Sequence, residues 1–220
     1  AGQLVLLVPL SERKNPKPAL KYGVGLCMWL KNCNFARLFC GIKDSEKRRK
    51  KNMETFEQLC QQRRSIRKYT AQPIEKEKLD YILRCALMSP SGKRLNPWEF
   101  YVLTREETLR RLSGCRTYGS GMFDTAMAAI VVALDASLTD TWQSDGAIAA
   151  QDILLAAADR GLGACWCQVY QREGAEELVR SLANIPDNLN VLCVISLGYK
   201  DEERRMYDPE KLPYQKVHWC

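Results

Sequence analysis

Apolar positions along residues 53–220 recur with two periods, and each switch between them marks a new element. Phe56, Leu59 and Cys60 are spaced as the apolar stripe of a helix running from about Met53 to Arg63. The following SIRKYT, rich in β-branched and aromatic residues, reads as extended, and Pro73 keeps the helix from resuming. A second helix is predicted over about 75–87, where Leu79, Ile82, Leu83, Ala86 and Leu87 keep helical spacing. SPSGKRLNP (89–97) is a loop by composition and leads into a strand, EFYVLT (99–104). Thr104 with Glu107 predicts a capping box for a helix over 105–113.

The continuous apolar run AAIVVAL (128–134) predicts a buried strand. A long helix then starts at Asp140 or Thr141 and runs to about Arg160, closed by Gly161. Its middle, AIAAQDILLAAA, predicts burial on most sides, which would leave Gln151 and Asp152 in need of polar partners. The strand ACWCQVY, a helix over 173–183, the strand NVLCVISLG and an irregular basic and aromatic tail complete the chain. Pattern alone, with helices and strands alternating, points to a doubly wound α/β sheet. Neither GxGxxG nor GxxxxGK[ST] follows any strand, so that fold's usual phosphate cradle is missing.

Composition changes this picture in one respect. A chain of 220 residues with 46% hydrophobic content can bury a real core and is expected to be folded and soluble. No run of eighteen apolar residues occurs, and LVLLVPL (4–10) is short and followed by its basic residues; the expectation is a cytoplasmic protein without a membrane span. The net charge of +7 is unevenly placed. Residues 1–52 hold 12 Lys and Arg against 3 Asp and Glu, or +9, and residues 53–220 hold 21 against 23, or −2.

The basic character therefore belongs to a leader, 1–52, with Pro9, Pro16, Pro18 and the run EKRRKKN. That leader is expected to be non-native or poorly structured, with Met53 the natural start and 53–220 the working domain. A nucleic-acid arm is not expected, because the run lacks aromatic or glycine punctuation. Ten cysteines include no CxxC, the CxC pair Cys165 and Cys167 has no second pair beside it, and His218 is the sole histidine. No metal site is expected, and buried reduced thiols are the simplest reading.

The chemistry concentrates in QRRSIRKYT. In an extended segment residues two apart share a side, so Arg63, Ser65 and Arg67 fall together, with Arg64 and Lys68 towards the other side. Two guanidinium forks flanking a hydroxyl at a helix end make an oxyanion receptor. The plainer reading is a solvated charged corner.

RRSIR, the loop SPSGKRLNPWEFYVLT, the segment AIAAQDILLAAADRGLGACW and the closing KVHW occur in an order that resembles the nitroreductase family of FMN-dependent oxidoreductases. The resemblance covers nearly all of 53–220 and excludes the leader. It implies an α+β fold, with a mainly antiparallel central sheet flanked by helices, and an intertwined homodimer with FMN at the interface. It assigns Arg63, Arg64, Ser65 and Arg67 to the flavin's phosphate, ribityl chain and pyrimidine edge. It also implies that Pro90, Ser91 and Gly92 reach the flavin of the other subunit, that Arg94 or Asn96 meets the ring, and that Trp166, Cys167 and Gln168 pass its reactive edge. Lys211 is the candidate for a further phosphate contact, with Lys216 the alternate.

Several positions depart from the family pattern: Arg94 where Asn is common, Asn96 where Gln is common, Asp152 for Asn, and Gln168 for Gly. The implied activity is reduction of nitroaromatics, quinones or similar acceptors with NAD(P)H by ping-pong hydride transfer. Flavin N5 would carry the chemistry and no side chain would be catalytic, so His218 is read as structural and Cys165 and Cys167 as packing. The alternatives are a specialised flavoenzyme of the same fold, such as a dehalogenase or heterocycle oxidase, or a non-enzymatic flavin-holding protein.

Overall fold

The run AAIVVAL becomes β2 (Ala128–Leu134), a strand buried at every position because it lies inside a sheet covered on both faces. A computed structural model describes residues 55–220; the expected leader and its junction at Met53 lie outside the described residues. β1 (Trp98–Leu103), β3 (Gly163–Gln168) and β4 (Asn190–Gly198) join β2 in the order β1-β2-β4-β3. Every neighbouring pair in this sheet is antiparallel. The doubly wound parallel sheet read from the alternation of elements is therefore overturned, and the α+β arrangement holds. Helix–strand alternation gives the order of elements along the chain, but strand direction depends on where each connection crosses, which the pattern does not carry.

One face of the sheet packs α2 (Lys76–Leu87) and α4 (Trp142–Asp159), through Ile82, Ala86, Ala149, Ala150 and Ile153. The opposite face packs α3 (Glu106–Leu112), the turn with Phe123, and α5 (Ala175–Ala183). β2 serves the two cores by strict alternation: Ala128, Ile130, Val132 and Leu134 on one, Ala129, Val131 and Ala133 on the other. β4 changes face at a bulge, where Val132 pairs with Cys193 and Ala133 with Val191, leaving Leu192 unpaired. The Leu192 carbonyl, released from the ladder, accepts the N–H groups of Val169 and Tyr170.

Four local expectations are corrected. α1 is shorter than expected, Phe56–Gln62, and starts at a Thr55/Gln58 capping box. Its apolar stripe is not core: Phe56 is 71% exposed and no residue of the helix is fully buried. Thr104 caps nothing, because α3 begins one residue later and the Arg105 carbonyl accepts the Leu109 N–H. α4 is buried on one side only, leaving Gln143, Ser144, Ala147, Ile148 and Gln151 exposed, so Gln151 meets solvent rather than a buried partner. Alanine is apolar enough for the interior and small enough for the surface, which is why an Ala-rich stretch conceals its exposed face.

Candidate functional site

After α1 the chain forms a strap, residues 63–70, across one end of the sheet. Ser65 bridges to Ala164 of β3, and the Ile66 N–H donates to the Ala164 carbonyl at 3.0 Å. Further on, the Thr70 N–H reaches Tyr199 O at 2.9 Å and the Asp201 N–H reaches Lys68 O at 3.0 Å. Ile66 and Tyr69 anchor the strap in the core. Two glycines make room for them. Gly163 and Gly198 face each other across the β3–β4 ladder, and a Cβ on either would lie 2.7 Å from Ile66 or Tyr69. The Tyr69 hydroxyl meets Ser196 Oγ at 2.7 Å, and burial pushes its pKa up, so it stays a neutral phenol.

Anchoring at Ile66 and Tyr69, three apart, sets the side chains between them. Arg63, Ser65 and Arg67 gather towards Cys165 of β3: burial raises that thiol's pKa, and Arg67, Ser65 and Arg63 each act to lower it. Arg64 donates to the Arg205 carbonyl and stacks 4.5 Å from the Tyr207 ring centre, the same ring that Arg63 approaches to 5.9 Å, so alternation does not part these two arginines. With Gln62, Ile66 and residues 200–205 it lines a cleft of about 860 Å³. Exposure does not separate Arg67 from Lys68, since both are solvent-exposed. Alternation ends where Tyr69 turns inward, so the expectation that water contact would distinguish Lys68 is corrected.

The loop 89–97 is held from beneath. Ser89 donates to Asp152 Oδ2 at 2.5 Å, which supplies the partner that Asp152 needed. The buried carboxylate of Asp145 accepts the Gly92 N–H at 3.1 Å, and a Cβ at Gly92 would lie 2.8 Å from Thr141 Oγ1. Ser91 and Asn96 close the loop through Ser91 Oγ, which accepts the Asn96 N–H at 3.0 Å and donates to Asn96 Oδ1 at 2.9 Å. Between them Lys93, Arg94 and Asn96 all have positive φ, a cluster of costly backbone found mainly where a loop must present groups in one geometry. Pro90 is exposed, and Ser91 and Gly92 are half-buried.

On β3, Trp166 and Cys167 point to opposite faces. Trp166 packs with the α2/α4 core and donates through Nε1 to Gln168 Oε1 at 3.0 Å; Gln168 in turn donates to Tyr170 O at 3.2 Å. Cys167 is buried in the other core against Cys115, a contact that, with burial, holds it protonated. Its side chain is thus packing, while Trp166 and Gln168 are half-buried. Lys211 stands apart: it is 83% exposed, in a short turn where Nζ pairs with Asp208 at 3.1 Å. His218 is exposed rather than packed, against its reading as structural.

Sequence reasoning missed the tail's part in the strap. Arg63 reaches the Tyr207 hydroxyl at 3.5 Å, and the Tyr207 N–H donates to Gln61 O at 2.9 Å. Glu202 Oε1 accepts the Arg67 N–H at 2.5 Å. Nothing local in KDEERRMYD signals these roles, because the contacts join positions more than 130 residues apart.

The chain, a four-stranded antiparallel sheet between helical layers crossed at one end by an arginine-rich strap, is an oxidoreductase enzyme by its family and relatives. The chain belongs to the nitroreductase family, whose sequence profile matches residues 60–116 and 115–199. A solved FMN-dependent nitroreductase from Clostridium difficile R20291 is 44% identical, covering 73% of this chain and 96% of that one, with a TM-score of 0.71. An Archaeoglobus fulgidus protein named "Putative NADH dehydrogenase/NAD(P)H nitroreductase" is 38% identical over 162 residues, 72% of this chain and 92% of the relative. The NADPH-flavin oxidoreductase of Vibrio harveyi is 28% identical over 169 residues, 70% of this chain and 68% of the relative. Among the described residues no helix is long and apolar enough to cross a membrane.

Proposed function

We propose that the chain is an FMN-dependent oxidoreductase that takes reducing equivalents from NADH or NADPH and delivers them to an electron-poor acceptor such as a nitroaromatic or a quinone. The observation that carries this reading is the strap, which gathers Arg63, Ser65 and Arg67 beside β3. Planar guanidinium forks and a hydroxyl match phosphate and the polar edge of a flavin, so the donor set fits the group. FMN, when bound, supplies hydride transfer at its N5 position. Arg63 and Ser65 would hold the phosphate and ribityl chain. Arg67 would sit by the pyrimidine edge and oppose negative charge developing there, an electrostatic role. Arg94 or Asn96, presented by the pinned loop, would orient the ring. Backbone groups of Trp166, Cys167 and Gln168 would line its edge. Arg64 and Lys211, engaged by Arg205 and Asp208, would support the site from its margin. Purified protein is expected to be yellow and to bleach on anaerobic addition of NAD(P)H; protein left colourless by reconstitution with FMN would defeat the proposal.

The proposal includes a homodimer with a site at each end of the subunit interface, Pro90, Ser91 and Gly92 of each chain turned to the other chain's flavin. Supporting it, α1, α2 with its C-cap Met88, and α4 leave apolar side chains in water, among them Phe56, Leu87, Met88 and Ile148. Ile148→Glu on the outward face of α4 is expected to shift the protein to monomer in sedimentation velocity and to release FMN with it. A monomeric wild type that retains FMN would rule out the shared site.

A further inference from the structure

The strap is not a purely cationic receptor. Glu202, four residues beyond β4, brings a carboxylate into it, and its side chain is only 14% exposed. Oε1 accepts the backbone N–H of Arg67 at 2.5 Å, and Oε2 pairs with Arg204 at 2.6 Å. The neighbouring Asp201 N–H, bonded to Lys68 O, fixes the crossing at which Glu202 sits. Burial acts to raise the Glu202 pKa, but the N–H of Arg67 and the Arg204 guanidinium outweigh it, so the group is held below the usual carboxylate range and stays ionised at neutral pH. The same residue lines the cleft at the strap together with Arg64 and Ile66.

A fixed negative charge there has two consequences. It opposes binding of an anionic phosphate, and it opposes the arrival of electrons on a ring held beside it, since a reduced flavin carries more negative charge than an oxidised one. We propose that Glu202 is a tuning residue of the cofactor site, whose carboxylate holds down both the affinity for FMN and the reduction potential of the bound flavin. This rests on the flavin reading above. Arg204 and Arg67 offset the charge without removing it.

Glu202→Gln tests this in the full chain, because the amide oxygen can still accept the Arg67 N–H while the charge is lost. The expected result is FMN binding tightened by roughly threefold or more, the scale of one partly screened charge, together with a higher flavin midpoint potential. Apoprotein melting should fall slightly, because a carboxylate with a depressed pKa stabilises the fold at neutral pH. Glu202→Ala, read by the same titration and the same redox measurement, is the second variant and should also raise the potential. Unchanged potential in both variants, or weaker FMN binding in Glu202→Gln, would overturn the proposal and leave Glu202 a strap fastener. A wild-type protein that takes up no FMN would instead defeat the flavin reading itself.

Discussion

Arg67→Ala is expected to cost the protein most of its FMN, while Lys68→Ala, one residue away and equally exposed, is expected to leave it nearly full. The strap's anchors set the difference. With Ile66 and Tyr69 both buried, the Arg67 charge acts on the Cys165 thiol beside which Ser65 lies, and alternation from Ser65 would turn Lys68 the other way. A hydrogen bond to a charged group contributes about 1.5–3 kcal/mol net, which corresponds to roughly 10- to 150-fold in affinity. The alanine keeps the backbone N–H that holds Glu202, and because Arg67 is exposed no interior packing is lost. The comparison therefore reads binding rather than folding. Flavin per chain after gel filtration and a fluorescence titration of apoprotein measure it, and equal losses in the two variants would refute the facing argument.

Gly163→Ala is expected to destabilise the fold by about 1–3 kcal/mol, the usual cost of overpacking a filled interior. The new Cβ would lie 2.7 Å from Ile66 Cγ2 and 2.8 Å from Ile66 Cβ, so the strap itself has to move. In a domain of this size that corresponds to a melting point lower by very roughly 2–12 °C. FMN retention should fall with it, because Ile66 sets where Ser65 and Arg67 stand relative to β3. Ile66→Ala removes the Cγ2 contact but keeps the Cβ contact, so the two changes together should cost somewhat less than their sum. Melting curves of the two single variants and the double variant complete the cycle; a Gly163→Ala protein as stable as wild type would show that the crossing is not tight.

Much of this molecule was legible in residue order. β2 was readable because an uninterrupted apolar heptad fits a strand covered on both faces, and α2 because Ile82 and Ala86 of its stripe are buried, although Leu87 at its end is exposed. The strap was legible as an extended segment, but the division of its cations was not: Arg63 and Arg64 both approach Tyr207, and Arg67 and Lys68 are both exposed. Less legible was α1, whose stripe turned out to be exposed, and α4, where alanine blurs the boundary between core and surface. The Thr104 cap failed because a capping signal says that a helix can start there, while the end of β1 decides the residue at which it does.

By itself the sequence determined most of the elements, the excess of basic residues in 1–52 over the nearly neutral remainder, and the cationic segment with its family resemblance, since all of these depend on neighbours along the chain. Tertiary structure decided the antiparallel direction of every strand, which residue pattern misread and only the resemblance implied, and it alone decided the glycine pair under the strap and the arrival of Glu202, Arg205 and Tyr207 at the arginines. The reason is physical. Periodicity is set by bonds a few residues long, whereas close approach and charge compensation depend on which distant segments the burial of two apolar faces brings together.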